Sequence, residues 1–168
     1  IDYAVKNGAK ILNMSIGTYA NSSVLRQALE KAYQSAIIVA AAGNDGRCIY
    51  ASHYPNQHKK PVPGPCFPAA YSFVLGVQAT VSGGGMASFS NYDDDGPLTS
   101  CEATSQDPDG FNYELKAPGK DILSCIPGGK YDFLDGTSMA SPLVAGAISA
   151  LMMVKQYNNW EILWGDLL

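Results

Sequence analysis

Gly136-Thr137-Ser138-Met139-Ala140-Ser141-Pro142, running on into Leu143-Val144-Ala145-Gly146-Ala147, sets a serine at the head of a small-residue, apolar stretch. A serine hydroxyl is a weak nucleophile unless a base takes its proton and nearby donors receive the oxyanion that forms. The first turn of a helix offers unpaired N–H groups and the positive end of the helix dipole, both suited to a developing negative charge. Gly136 leaves space for a substrate carbonyl, and the small residues behind the serine allow close packing. A bare Gly-Thr-Ser fits the cap of a core helix better than a nucleophile; the longer string reverses that reading. Pro142 breaks a local rule. It has no N–H to return to the Ser138 carbonyl, so a kink or a water partner is expected there.

Around this stretch, helical and extended patterns alternate, which predicts an α/β domain built on a parallel sheet. Residues 36–42 are apolar at consecutive positions, as in a strand covered on both faces, and residues 74–80 read the same way. Residues 10–16 form a further apolar strand. Asn21-Ser22-Ser23 is a cap cluster before a helix over 24–35, and residues 2–8 form a short helix closed by Gly8. Short strands are expected at 122–126 and 131–134, then a long buried helix from Thr137 to about Gln156. Residues 43–65 and 93–110 read as loop insertions. The tail after Asn159 carries Trp160, Ile162, Leu163, Trp164, Leu167 and Leu168, an apolar side expected to cover the domain's own surface.

At 168 residues, 46% apolar and 15% charged, the chain suits a single globular domain. A net charge of −4 without a basic run gives nucleic-acid binding no support. The longest apolar run, residues 143–154, is too short to span a bilayer, so no membrane role is expected. The chain begins at Ile1 and its first methionine is Met14, so the expectation is a processing boundary with sequence upstream.

The serine segment resembles the G-T-S-M-A-[SA]-P-x-V-A-G motif of the subtilisin-like serine proteases, with Leu143 where the family usually has His. Further resemblance runs through Ile11-Leu12-Asn13-Met14-Ser15-Ile16-Gly17, Ile38-Val39-Ala40-Ala41-Ala42-Gly43-Asn44, Phe67-Pro68-Ala69, Met86-Ala87-Ser88-Phe89-Ser90 and Ala117-Pro118-Gly119, in family order. It implies a subtilisin-like parallel sheet with flanking helices, lacking the family's N-terminal strands, in one partial catalytic domain over residues 1–168. It further implies that Ser138 is the acylating nucleophile and Asn44 an oxyanion donor. Ser15, Ile16 and Gly17 would bind an extended polypeptide substrate by strand addition. Ala41, Ala42 and Gly43 would form the opposite wall of the specificity pocket, open enough for a large side chain. Cys66 and Phe67 would lie near its floor, and Asp45 at the rim would favour a basic substrate residue unless it is an ordinary turn residue.

The family's Asp and His precede Ser in the chain, and both would fall before Ile1. The only histidines, His53 and His58, lie in the Pro/Lys-rich insertion and read as exposed loop residues. The base is therefore expected from an upstream segment or a companion chain, and the chain alone is expected to be close to inert. The resemblance also implies a weak calcium or sodium site at the Ala69, Tyr71 and Val74 carbonyls, near Glu114. No cofactor is expected for the chemistry. The acidic clusters Asp93-Asp94-Asp95 and Asp107-Pro108-Asp109 read as solvated turns. Cys48, Cys66, Cys101 and Cys125 allow three pairings. The expectation is Cys48–Cys66 and Cys101–Cys125, each closing a local loop, in a secreted protein. A peptide-binding module of the same fold without turnover is the competing reading. A lipase or esterase is disfavoured because Ser138 lacks the G-x-S-x-G elbow.

Overall fold

The structure, a computed structural model, describes residues 1–49, 64–93 and 111–155. Four parallel strands lie in the order β1 (Ile11–Met14), β2 (Ile37–Ala41), β3 (Leu75–Thr80) and β4 (Leu115–Pro118). Ile11 faces Ile37, Val39 faces Leu75, and Val77 faces Leu115. An antiparallel hairpin, β5 (Ile122–Ile126) and β6 (Lys130–Leu134), stands apart from this sheet. The helices are α1 (Asp2–Lys6), α2 (Ser23–Tyr33) and α3 (Thr137–Lys155).

Consecutive apolar residues in β2 are buried without a break because each face meets a different core. Ile38, Ala40 and Ala42 pack with Leu29 and Ala32 of α2 and with Phe67 and Tyr71. Ile37 and Val39 pack with Val77, Ala79 and the α3 residues Ala140 and Ile148. Strand period two sorts one apolar run into two cores, as the sequence pattern required. The cap cluster resolves to Ser22, whose hydroxyl accepts from Leu25 N at 3.3 Å. Its neighbour Asn21 accepts from the Tyr71 hydroxyl at 2.9 Å.

Two features differ from the sequence reading. Strand β4 escapes the pattern because it is four residues long and ends in Pro118, with Lys116 and Pro118 exposed. Helix α3 keeps its expected span but is less buried than expected: only 28% of residues 137–154 are buried, and at a mean hydropathy of 1.6 they are long and apolar enough to cross a membrane. It instead lies against the sheet, contacting β1, β2, β3 and β4. That packing brings its first turn to the ends of β1 and β2, where the site is assembled.

Candidate active site

Gly43-Asn44 follows β2 after one residue, and Thr137-Ser138 opens α3, so the sheet's end and the helix's start converge. The contact is specific. Asn44 Oδ1 accepts from Thr137 N at 2.8 Å and from Thr137 Oγ1 at 2.9 Å. Thr137 Oγ1, its one proton so used, accepts from Gly43 N at 3.1 Å. A backbone N–H can face only the amide oxygen, so the Asn44 carboxamide has one orientation and its Nδ2 points away from Thr137. An ideal Cβ on Gly136 (φ +153°) would lie 3.3 Å from that Nδ2. A side chain at Gly136 would therefore press on the Asn44 amide. Ser138 N forms no hydrogen bond among the described residues, as expected in a helix's first turn. Two donors, Asn44 Nδ2 and Ser138 N, are thus available beside one hydroxyl.

A cleft of about 240 Å³ opens over them, lined by Ser15, Ile16, Gly17, Tyr19, Ala41, Gly43, Asn44, Asp45, Cys66, Thr137 and Ser138. Residues 94 positions apart in the chain meet there, since 138 − 44 = 94. On one wall, Ile16 and Gly17 make no main-chain hydrogen bond among the described residues, leaving donors and acceptors for an extended ligand. Thr18 then closes that segment by a two-way pairing with Phe67, at 2.8 and 2.7 Å.

A model of the subtilase family matches residues 1–166. The chain belongs to the subtilase family. It is 38% identical to Subtilisin DY of Bacillus licheniformis over 92% of this chain and 46% of that protein. It is 34% identical to the Thermophilic serine proteinase of Bacillus sp. (strain AK1), over 96% of this chain and 32% of that one. Among solved structures, the Prenylagaramide maturation protease PagA superposes with a TM-score of 0.68 at 29% identity, covering 92% of this chain and 47% of that chain. This subtilase chain therefore spans about half the length, or less, of the relatives it matches.

Of the eight site residues expected from sequence, seven line the cleft of the subtilase chain. Ala42 does not. Its side chain is fully buried on the α2 face, its N–H donates to Val77 O at 3.0 Å, and its carbonyl accepts from Asn91 Nδ2 at 2.9 Å. Period two along the strand turns it away from Ala41. Thr137, Tyr19, Asp45 and Cys66 complete the lining. Thr137 is fully buried and was hidden in the motif as the residue beside the serine.

Neither expected disulfide forms, because Cys66 and Cys125 are free thiols. Cys66 Sγ lies 2.6 Å from an ideal Cβ on Gly17 and 3.3 Å from one on Gly43, so it fills the end of the cleft between two glycine walls. Burial, reinforced by the Asp45 charge, pushes this thiol up to about 11. Cys125 faces Tyr131 on an exposed hairpin. Cys48 is disulfide-bonded, to a partner outside the described residues. With a thiol at its end and Tyr19 on its wall, the pocket is shorter than small walls alone implied.

Pro142 sits inside α3, and the Ser138 carbonyl it leaves without a helical donor accepts from Ser15 Oγ at 3.1 Å. His53, His58, Asp94, Asp95, Asp107, Asp109 and the tail lie outside the described residues. Asp93 is engaged, accepting from Gln78 Nε2 at 3.0 Å and Tyr113 N at 2.9 Å. Glu114 Oε2 accepts from Gly76 N at 2.6 Å, while its buried Oε1 has no partner among the described residues. Ala69 O lies 2.6 Å from an ideal Cβ on the same Gly76. Tyr71 O, another oxygen of the expected cation site, accepts from Val74 N at 2.8 Å.

Proposed function

We propose that this chain is the nucleophile and oxyanion half of a secreted serine endopeptidase. The observation that carries it is the bonding of Asn44 Oδ1 to Thr137, which leaves Asn44 Nδ2 and Ser138 N as donors at a cleft containing Ser138. Ser138 Oγ attacks a peptide carbonyl carbon while its proton passes to a histidine held by an aspartate, both supplied by an upstream segment or companion chain. The carbonyl electrons move onto oxygen, which the two donors receive. Collapse breaks the C–N bond, and the amine leaves with the proton. Water then hydrolyses the acyl-serine by the same steps. Removal of the histidine costs a subtilisin, a relative, about a millionfold in turnover, so the chain alone is close to inert.

Two unpartnered surfaces support a companion segment. Strand β1 ends the sheet with one edge unpaired among the described residues. On α3, Leu143, Met153 and Val154 are 46%, 80% and 81% exposed, with Gly146, Ala147 and Ala150 exposed between them. An uncharged helix stripe of this kind is a docking face. The oxidised Cys48 supports secretion. A calcium or sodium ion would be held weakly by the Ala69, Tyr71 and Val74 carbonyls, near Glu114, as structural support only.

A fluorophosphonate probe tests this reading in the natural assembly. Stoichiometric labelling at Ser138, abolished by Ser138→Ala, is expected. Intact peptide binding without labelling would favour the non-catalytic binding module.

A further inference from the structure

We infer that Asn91 is the positioning residue of this site: its carboxamide sets the loop that carries the oxyanion donor Asn44 and ties that loop to the far wall of the cleft. The inference rests on the peptidase reading above. Asn91 is 1% exposed and does not line the cleft, so it acts through its neighbours.

Its bonds fasten the loop on both sides of Asn44. Asn91 Oδ1 accepts from Asp45 N and from Arg47 N, each at 3.1 Å. Asn91 Nδ2 donates to Ala42 O and to Tyr19 Oη, each at 2.9 Å. Its main-chain N–H donates to Gly43 O at 2.9 Å. Positions 42, 43, 45 and 47 are thus all fastened to one residue, with Asn44 between them. A carboxamide has two N–H donors and two acceptor lone pairs, and all four are used here. No side chain other than Asn supplies that set at this reach: Asp lacks both donors, and Gln is one methylene longer. Gly43, at φ +105°, is what allows the approach, since an ideal Cβ there would stand 2.4 Å from Asn91 Nδ2.

The division of labour follows. Thr137 fixes the orientation of the Asn44 amide, whereas Asn91 fixes the backbone from which that amide hangs. Through Tyr19, whose hydroxyl accepts from Asn91 and donates to the Asp45 carboxylate, the same residue links the two walls. Oxyanion stabilisation depends on donors preset at the place where charge develops, and a displacement of about 1 Å costs on the order of 100-fold.

The test is a cycle in the natural assembly: wild type, Asn91→Asp, Asn44→Ala and the double variant, each measured for the rate of fluorophosphonate reaction at Ser138 and for Tm. Asn91→Asp keeps the shape and loses both donors. We expect it to slow the reaction roughly 10- to 100-fold in the wild-type background and less than about threefold once Asn44 is alanine. Its effect on Tm would be the same in both backgrounds. Equal slowing in both backgrounds, or none, would overturn the inference. Should Asn91→Asp fail to fold, Tyr19→Phe removes one Asn91 partner and is held to the same non-additivity. Absence of Ser138 labelling in the wild type is a separate result, which removes the peptidase reading and this inference with it.

Discussion

Ser15 Oγ donates a 3.1 Å hydrogen bond to the carbonyl of Ser138, the acceptor that Pro142 leaves without its helical donor. The same hydroxyl oxygen lies 3.1 Å from Ser141 Oγ and accepts from Asn13 Nδ2 at 3.1 Å. Its single proton goes to the carbonyl, so Ser141 must be the donor of their pair. A residue of one cleft wall thereby repairs the helix that carries Ser138. Ser15→Ala should cost about 1–2 kcal/mol in denaturant unfolding, because it leaves a part-buried carbonyl unpaired. In a Pro142→Ala background, which restores a helical N–H, the same substitution should cost less than half as much. Equal cost in both backgrounds would show that the serine works elsewhere.

Asn44→Ala should lower turnover by about 100- to 1,000-fold, the range measured when one oxyanion donor is removed from a subtilisin, a relative of this chain. Asn44→Asp keeps the acceptor for Thr137 N but sets an anion where the oxyanion forms. It should be slower still than the alanine variant while matching wild type in Tm. Single-turnover acylation of Ser138 in the natural assembly reads both.

The cores and the serine segment were legible because each is written locally. The apolar run after α2 and through β2 reads as a strand covered on both sides, and Gly136 to Ala147 is one contiguous motif. What was illegible depends on direction or on distant partners. Ala42 and Ala41 are the same residue type side by side, and only strand alternation sends one into the core. The disulfide expectation failed for a related reason: Cys66 points between Gly17 and Gly43, and Cys125 points outward from a hairpin. Asn91 carries no motif of its own. Its role exists only once residues 19, 42, 45 and 47 have been brought around it.

Glu114 makes stability depend on pH. Burial raises its carboxyl from 4.5 to about 8, opposed by the Gly76 N–H and assisted by the Asp93 charge. Between those values the folded state holds a proton that the unfolded state has released, so stability is full below about 4.5 and declines as pH rises through 8. Urea midpoints measured from pH 4.5 to 9 should fall accordingly. Glu114→Gln should flatten that slope; an unchanged slope would assign it to other groups.

The two free thiols should behave oppositely. Cys125 is exposed, whereas Cys66 is buried and held up to about 11 at the cleft's end. Iodoacetamide at pH 7.5 followed by peptide mass mapping should find Cys125 alkylated and Cys66 intact, with rates differing by about 100-fold or more. Cys66→Gly should lengthen the cleft and favour larger side chains at the residue before the cleaved bond, read as a rise in kcat/KM for Phe over Ala substrates.

Asp45 sets a charge preference of limited size. Among the described lining residues it alone carries charge at neutral pH: Tyr19, raised by burial and by its bond to Asp45, stays protonated, as does Cys66. The Tyr19 hydroxyl donates to this carboxylate and so fixes its direction, yet Asp45 itself is exposed. An exposed ion pair contributes about 0.2–1 kcal/mol, which limits the gain for a Lys or Arg substrate over its neutral isostere to about fivefold. Asp45→Asn should abolish that gain and its dependence on salt while leaving the ratio of Phe to Leu substrates unaltered. Tyr19→Phe, which frees the carboxylate to turn, should shrink the gain only in part. Selectivity of several hundredfold would place the deciding charge outside this cleft.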